Sequence, residues 1–332
     1  MARRSGERQD DLAGAVLALS VPALSRAAPS AARHLTAIGH GMTAIIIQLL
    51  IGGVLLGGLY ALIAFGLSLI YGVARVLNFA HGTLLAIAGI AASVMFAAWS
   101  LNPLLIMAIL FPVFFGFGWL MYVVLLEPLK ARSPMQTVVG TVLVTVGLLL
   151  ILSDIAAQFA GPTSRNIRLD LEVFVFSGII VSTTELYILL GIVGLTLALH
   201  VILTRTWFGR AVRAVTQDTV GARLCGVRAG AIHAATVAFG SAIVAIAGVL
   251  YTLNFPVNPY VGFELTVKAF TIIILGGIGS LPGALLAGIF LGVAEALTGF
   301  FWSSDWAPGL SIMLLLAILI VFPQGFLSRS AT

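Results

Sequence analysis

Few residues in this sequence combine the types and the spacing that chemistry requires. Hydrolysis would need a nucleophile beside a base, or metal ligands such as a His-Glu-x-x-His pair, and the sequence contains neither arrangement. The phosphate-binding pattern Gly-x-x-x-x-Gly-Lys-Ser/Thr is also missing. The single cysteine, Cys225, excludes an intramolecular disulfide, and no Cys/His spacing suits zinc. The sequence therefore predicts no catalytic, cofactor or metal site, and any ATP-driven step would need another polypeptide.

Two glycine-rich interruptions of apolar sequence are stronger candidates for function. One is Asn78-Phe-Ala-His-Gly82, and the other is Gly276-Gly-Ile-Gly-Ser-Leu-Pro-Gly283. Unwound backbone in hydrocarbon persists only where it is packed in protein or lines a polar cavity, so both predict cavity walls. The candidate residues are Asn78, His81, Gly82, Gly276, Gly277, Gly279, Ser280 and Gly283. A second interpretation stays open, in which Asn78 caps the following helix and the His81 ring only ties the broken backbone together.

The composition shows which elements must position these residues. The chain has 332 residues, 60% hydrophobic and 9% charged, whereas about 25% of residues in soluble domains are charged. Because a membrane-crossing helix needs about 20 apolar residues, we predict such segments at 43–74, 79–99, 103–126, 136–158, 186–204, 231–253, 267–298 and 306–322. The predicted fold is an all-α, polytopic membrane helix bundle of 8 to 10 transmembrane segments. The long segments 43–74 and 267–298 are expected to be broken or sharply tilted, which predicts discontinuous glycine-rich helices.

The charges predict the orientation of the bundle. The net charge is +5, from 17 Lys and Arg against 12 Asp and Glu. The segment 204–230 carries five arginines and one aspartate, so the positive-inside rule places it in the cytoplasm, while the acidic balance of 159–185 fits the outer face. The basic residues lie in short breaks between apolar runs and not in a polybasic, aromatic-rich stretch. Membrane lipid is therefore an expected partner and nucleic acid is not.

The basic segment also has a helical pattern. Val212, Val215, Val220 and Leu224 recur at near-helical spacing with charged residues on other positions, so we predict a short amphipathic helix within 209–227. Two interpretations stay open. Either the segment fits a cleft on a partner protein, or it is a solvated loop that touches only lipid headgroups.

Several motifs, taken in order, resemble one family. They are Tyr60-Ala-Leu-Ile-Ala-Phe-Gly66, Asn78-Phe-Ala-His-Gly82, the pattern Gly-Arg-Ala-x-Arg-Ala-x-x-x-Asp-x-x-x-Ala-x-Leu-x-Gly at 209–226, Asn258-Pro-Tyr-Val-Gly-Phe263, and the block from Lys268-Ala-Phe270 through Gly276–Gly283 to Ala294-Glu-Ala-Leu297. Together they are similar to the permease subunit of high-affinity branched-chain amino acid ABC importers. The matches run from about 50 to 326, and the first 40 residues have no counterpart in the family.

The resemblance implies a domain organisation and a set of partners. It implies a transmembrane permease domain at 41–332 with a cytoplasmic coupling loop at 205–230, preceded by residues 1–40, which the composition predicts to be a mobile tail. The implied coupling residues are Gly209, Arg210, Arg213, Ala214, Asp218, Ala222, Leu224 and Gly226. The implied partners are two ATP-binding subunits, a second homologous permease and an extracytoplasmic substrate-binding protein, in the bacterial cytoplasmic (inner) membrane. The chain would then be a transport subunit, not an enzyme, that moves branched-chain amino acids by alternating access.

Two other functions stay open from the sequence. An importer permease of the same build for urea, short-chain amides or other amino acids would carry similar motifs. A self-contained ion-coupled carrier would need titratable groups at mid-membrane depth, whereas Asp154, Lys268 and Glu295 are expected near segment ends or beside glycine breaks. Glu295 in particular is expected near the interface opposite the Gly283 break, because about ten residues of helix separate the two.

Overall fold

A computed structural model of the chain describes residues 45–131, 133–169, 171–176 and 179–321. The tail predicted for 1–40 lies outside these described residues. Contacts separate a main unit from a small one, which among the described residues comprises 45–48, 175–176 and 179–180. Every side-chain contact discussed below lies within the main unit.

The described part of the chain is mostly helical. In chain order the helices are α1 Ile45–Ala74, α2 His81–Trp99, α3 Pro103–Met121, α4 Pro134–Ala160, α5 Thr183–Arg205, α6 Trp207–Gln217, α7 Thr219–Leu224, α8 Ala229–Thr252, α9 Gly262–Gly276, α10 Leu281–Phe301 and α11 Ala307–Val321. Helix α3 continues through a π-helical turn at Tyr122–Leu126 and a 3-10 turn at Pro128–Ala131. Two short strands, β1 Val173–Phe176 and β2 Ile179–Ser182, pair in a two-stranded sheet that the all-α prediction did not include.

Seven helices in the described residues are long and apolar enough to cross a membrane. They are α1, α2, α3 with its extension, α4, α5, α8 and α10. Helices α9 and α11 have 15 residues each and are shorter than a full crossing requires. Each of the eight predicted apolar segments contains helix, but length and composition support seven spans where we predicted 8 to 10.

The glycines of α1 serve helix packing. We predicted a break or sharp tilt within 43–74, but α1 is one helix of 30 residues without a break. A Cβ atom on Gly57 would lie 2.5 Å from the Gly288 carbonyl oxygen of α10, and one on Gly66 would lie 2.7 Å from the Gly240 carbonyl oxygen of α8. Small residues allow this close approach of helix backbones. The glycine content of α1 therefore reflects two crowded helix crossings.

Burial divides the spans into inner and outer helices. Helix α8 is the most buried of the seven and packs against α2 and α3. Helices α4 and α5 are the least buried, and large apolar side chains such as Leu143 and Leu197 are exposed on them. An apolar exposed face of this kind suits lipid or another membrane subunit.

Helices α2 and α9 both begin inside the bundle. After α1 ends at Ala74, the chain turns back, and the His81 ring at the start of α2 reaches the Ile63 carbonyl oxygen at 3.0 Å. Ile63 precedes Ala74 by about 16 Å of helix. A Cβ atom on Gly262, the first residue of α9, would lie 2.6 Å from the Thr83 Cα atom in the first turn of α2. The two helix starts therefore meet about three turns from the end of α1.

We expect Gly57→Ala to lower the thermal stability of the detergent-solubilised protein. The new methyl group would overpack against α10, which typically costs about 1–3 kcal/mol. Gly52→Ala in the same helix is the matched control, because nothing lies within 4 Å of a Cβ atom there. That change should be neutral or stabilising by about 0.5–1 kcal/mol. Equal melting temperatures for the two variants would contradict the close packing of α1 on α10.

Candidate functional site

The first glycine-rich candidate forms the start of α2 and is buried. Asn78 accepts a hydrogen bond from a backbone N–H two residues further on at 3.1 Å, and His81 Nε2 donates to the Ile63 carbonyl oxygen. The backbone N–H of Gly82 donates to Thr266 Oγ1 of α9 at 2.8 Å. Asn78 and His81 are both 0% exposed, so here they contact packed protein and not an open cavity. These bonds stabilise a backbone that leaves one helix and enters another.

The second glycine-rich candidate is the turn between α9 and α10. Gly276 ends α9, and Gly277 and Gly279 follow with φ angles of 85° and 80°, a conformation that favours glycine. Ser280 caps α10 by accepting a hydrogen bond from the Gly283 N–H at 3.1 Å. Helix α9 therefore stops at a defined turn of four residues, after which α10 begins.

A cavity of about 420 Å³ lies beside this turn. Its walls come from α1, α5, α6 and the turn itself, and they include Ser68, Gly72, Gly209, Arg213, Gly279 and Ser280. The sequence predicted Gly209 and Arg213 as coupling residues and Gly279 and Ser280 as path residues, without placing them together. The structure brings the two groups to one cavity, at the end of the bundle where α1 finishes.

The basic segment folds as two helices, α6 and α7, and not as one amphipathic helix. Asp218 separates them, because its carboxylate accepts a hydrogen bond from the Val220 N–H at 2.9 Å and so caps α7. The predicted apolar stripe is divided as a consequence. Val212 and Val215 of α6 are buried against the bundle, whereas Val220 is 68% exposed.

The predicted coupling residues have different environments. Gly209 is buried at the start of α6, where a Cβ atom would lie 2.0 Å from the Leu203 carbonyl oxygen of α5. Arg213 donates a hydrogen bond to the same carbonyl oxygen. Ala214 is half-buried and Ala222 is buried. The remaining members are exposed: Arg210, Asp218, Leu224 and Gly226.

A buried group of charged and hydroxyl side chains lies between α1, α9, α10 and α11. Lys268 Nζ lies 3.2 Å from Glu295 Oε2, 3.0 Å from Glu264 Oε1 and 2.8 Å from the Tyr60 hydroxyl. The Tyr60 hydroxyl donates to Glu295 Oε2 at 2.8 Å, and the Ser311 hydroxyl donates to Glu295 Oε1. We call these five residues the Lys268 cluster. Lys268 and Glu295 are only 5% and 3% exposed, so the ion pair is buried.

The position of this cluster corrects two sequence expectations. Tyr60 lies at the midpoint of α1, so the cluster is level with the middle of the longest helix. The prediction that Lys268 and Glu295 lie near segment ends or beside glycine breaks, with Glu295 close to an interface, therefore places both residues too far from the level of the α1 midpoint. The reason is that α9 begins inside the bundle, so Lys268, near the middle of this 15-residue helix, lies deep in the protein. The scarcity of charge at mid-depth is thus no longer an argument against an ion-coupled carrier.

We expect Lys268→Met to destabilise the protein strongly, because it leaves Glu295 buried without a cation. Breaking one partner of a buried ion pair typically costs about 3–5 kcal/mol. The double variant Lys268→Met with Glu295→Gln removes both charges and should recover most of that loss. Thermal unfolding of the wild type, both single variants and the double variant in detergent measures the coupling. Additive losses in the double variant would show that the two charges are not paired.

Comparisons with known proteins agree with the fold and with the motifs. Residues 49–322 match the family described as Branched-chain amino acid transport system / permease component. The chain is 33% identical over 301 residues to the high-affinity branched-chain amino acid transport system permease protein LivH of Salmonella typhimurium, covering 85% of this chain and 96% of LivH. It is 31% identical over 294 residues to the corresponding permease protein BraD of Pseudomonas aeruginosa, with coverage of 85% and 96%.

A shorter match is to a permease named for a different substrate. Over 130 residues the chain is 31% identical to the autoinducer 2 import system permease protein LsrC of Escherichia coli, covering 36% of this chain and 37% of LsrC. These relatives are transport components and not enzymes, and the seven apolar helices suit a multi-pass membrane protein. The predicted family is confirmed: this chain belongs to the permease components of branched-chain amino acid transport systems.

Proposed function

We propose that the chain is the membrane-spanning subunit of an ATP-driven importer in the bacterial cytoplasmic membrane, and that it passes branched-chain amino acids by alternating access. Family membership and relatives matched over 96% of their length support the permease role and the substrate class. Importers of this kind work with ATP-binding and substrate-binding partners. The proposed assembly has two ATP-binding subunits, a second homologous permease and an extracytoplasmic substrate-binding protein.

The cavity shared by α6 and the turn at Gly277–Ser280 carries this proposal. The cavity gives the coupling loop at 205–230 and the turn between α9 and α10 room to move against each other. Helix α6 is joined to α5 through Gly209 and Arg213, which both contact the end of α5. A push on α6 would therefore move α5 with it and change the width of the cavity. Approach of the ATP-binding subunits supplies that push in the proposed cycle.

The exposed face of α7 is the proposed docking surface for an ATP-binding subunit. Val220 and Leu224 are 68% and 86% exposed and lie four residues apart, so they share one face of the helix. Arginines flank these residues along the sequence, and the positive-inside rule places such a segment in the cytoplasm. The proposed permease domain is 41–332, with 205–230 as its coupling loop.

The proposed translocation path uses both glycine-rich candidates. The start of α2, with Asn78, His81 and Gly82, contacts α9 through Thr266 and supplies the middle of the path. The turn that begins at Gly276 supplies its cytoplasmic end. In the packed state described above the α2 start is closed, and the proposed cycle opens it when α5 and α6 move.

The match to LsrC favours one alternative within the same class. LsrC, to which the chain is 31% identical over 130 residues, is named as the permease of an autoinducer 2 import system. A second candidate function is therefore an importer permease for another small polar solute, with selectivity set by the external receptor. Family membership favours both importers over the ion-coupled carrier.

The test is leucine uptake by vesicles that contain the chain with its permease, ATP-binding and receptor partners. We expect uptake that stops on ATP depletion. Val220→Glu with Leu224→Glu should abolish both uptake and co-purification of the ATP-binding subunits, because charge would replace the apolar docking face. Cys225→Glu places one such charge on an exposed neighbour that lies off the Val220–Leu224 face, and it should leave co-purification unchanged. Uptake by the chain alone, driven by an ion gradient and insensitive to ATP, would refute the proposal.

A further inference from the structure

The Lys268 cluster carries one carboxylate more than it has cations. Among the described residues, Glu295 contacts three donors: Lys268, Tyr60 and Ser311. Within the described part of the chain, the ion-pair partner of Glu264 is Lys268, whose charge is shared with Glu295. The three ionised side chains sum to one negative charge. The Glu264 side chain is 42% exposed, so the excess charge lies at the accessible edge of the cluster.

Glu264 lies on an exposed apolar stripe of α9. The opposite face of the helix is buried and includes Leu265, Ala269 and Ile272. The open face has helical spacing, and we call it the α9 stripe; its members are exposed or half-buried, and they are Phe263, Glu264, Val267, Phe270 and Ile274. Glu264 is the one charged member of this stripe. The stripe therefore offers a carboxylate followed by aliphatic and aromatic surface.

A carboxylate at this depth does not suit a lipid-facing surface. The cluster is level with the midpoint of α1, and charged side chains within membrane spans almost always face the protein interior or a water-filled cavity. The α9 stripe also ends at the turn that lines the cavity beside α6. Both observations favour an aqueous path along this face.

We propose that the α9 stripe lines the translocation path and that the Glu264 carboxylate binds the α-ammonium group of the passing amino acid. The excess negative charge complements the ammonium group, and Val267 and Phe270 offer apolar contact to an aliphatic side chain. Lys268 holds the Glu264 carboxylate in place through their 3.0 Å contact. This assignment rests on the proposed function, since it takes the substrate to be an aliphatic amino acid.

Cysteine accessibility tests the first half of the proposal. In a Cys225→Ser background, single cysteines replace Glu264, Val267 or Phe270 in the assembled importer, and a membrane-impermeant maleimide is the probe. The control is Leu197→Cys on α5, whose exposed side chain lies on an apolar face. We expect the α9 cysteines to react at least about tenfold faster than the control, because the thiolate forms only where water reaches it. Saturating leucine should slow the reaction.

The outcomes are distinct. Labelling of the α9 cysteines no faster than that of Leu197→Cys would overturn the placement in the path. Labelling that occurs only in the isolated permease, and is blocked by the second permease, would make the stripe a subunit interface and would also overturn it.

Transport by charge variants tests the second half. Glu264→Gln should lower the maximum rate of leucine uptake about tenfold or more, as expected for loss of a charge-assisted hydrogen bond. The concentration of loaded receptor that gives half the maximum rate should not change, because receptor docking is not affected. Glu264→Asp should restore most of the rate. Glu172→Gln, which changes an exposed carboxylate in an outer loop, is the matched control and should behave as wild type.

Failure of this inference is separable from failure of the proposed function. If the wild type imports leucine with ATP and Glu264→Gln does so at the same maximum rate, the ammonium site is wrong and the importer stands. If Glu264→Asp is as slow as Glu264→Gln with normal assembly, the carboxylate does not bind substrate and the site is again wrong. If the wild type itself imports no branched-chain amino acid, the proposed function fails first.

Discussion

The paired charge between Lys268 and Glu295 is the interaction on which this part of the bundle depends. Charged groups inside a membrane-spanning bundle persist when they are paired and hydrogen-bonded, and the Lys268 cluster achieves this by joining α1, α9, α10 and α11. Helix α9 begins inside the bundle and has only 15 residues, so these bonds fix its position. The turn to α10, the cavity beside α6 and the exposed Glu264 all follow from where α9 lies.

Close packing and open space are divided along the length of α1. In its middle part, Gly57 brings the α1 backbone against α10, and Gly66 brings it against α8. Near its C-terminal end, at Gly72, a cavity separates α1 and the turn from α6. Well-packed helices move as rigid bodies, while a cavity allows relative movement. The expected motion is therefore that of α5 and α6 against a unit of α1, α8 and α10.

The positions of helices could be predicted from local sequence patterns, but the contacts between helices could not. Apolar runs predicted where the helices lie, the arginines of 204–230 predicted that this segment is cytoplasmic, and the family resemblance implied its coupling role. Gly57 and Gly277 both lie in glycine-rich runs. Gly57 allows the close approach of another helix, whereas Gly277 adopts a positive φ angle. Which of these roles a glycine has depends on the neighbouring helix and cannot be seen in the run itself. The sequence pattern predicted that Asp218 lies within one continuous helix, but Asp218 caps the separate helix α7. The cluster was missed because Tyr60 and Glu295 are 235 positions apart. Glu264 and Lys268, four residues apart in an apolar run, were a usable local signal.

In the proposed cycle ATP moves α6 relative to the turn between α9 and α10, and this movement can be measured as a distance. Spin labels at Gln217 on α6 and Ile278 in the turn, in a Cys225→Ser background, report the separation by double electron–electron resonance in the assembled importer. We expect two distance distributions, one without nucleotide and one with ATP under conditions that block hydrolysis. The same distribution in both states, in a preparation that imports leucine, would contradict the proposed cycle.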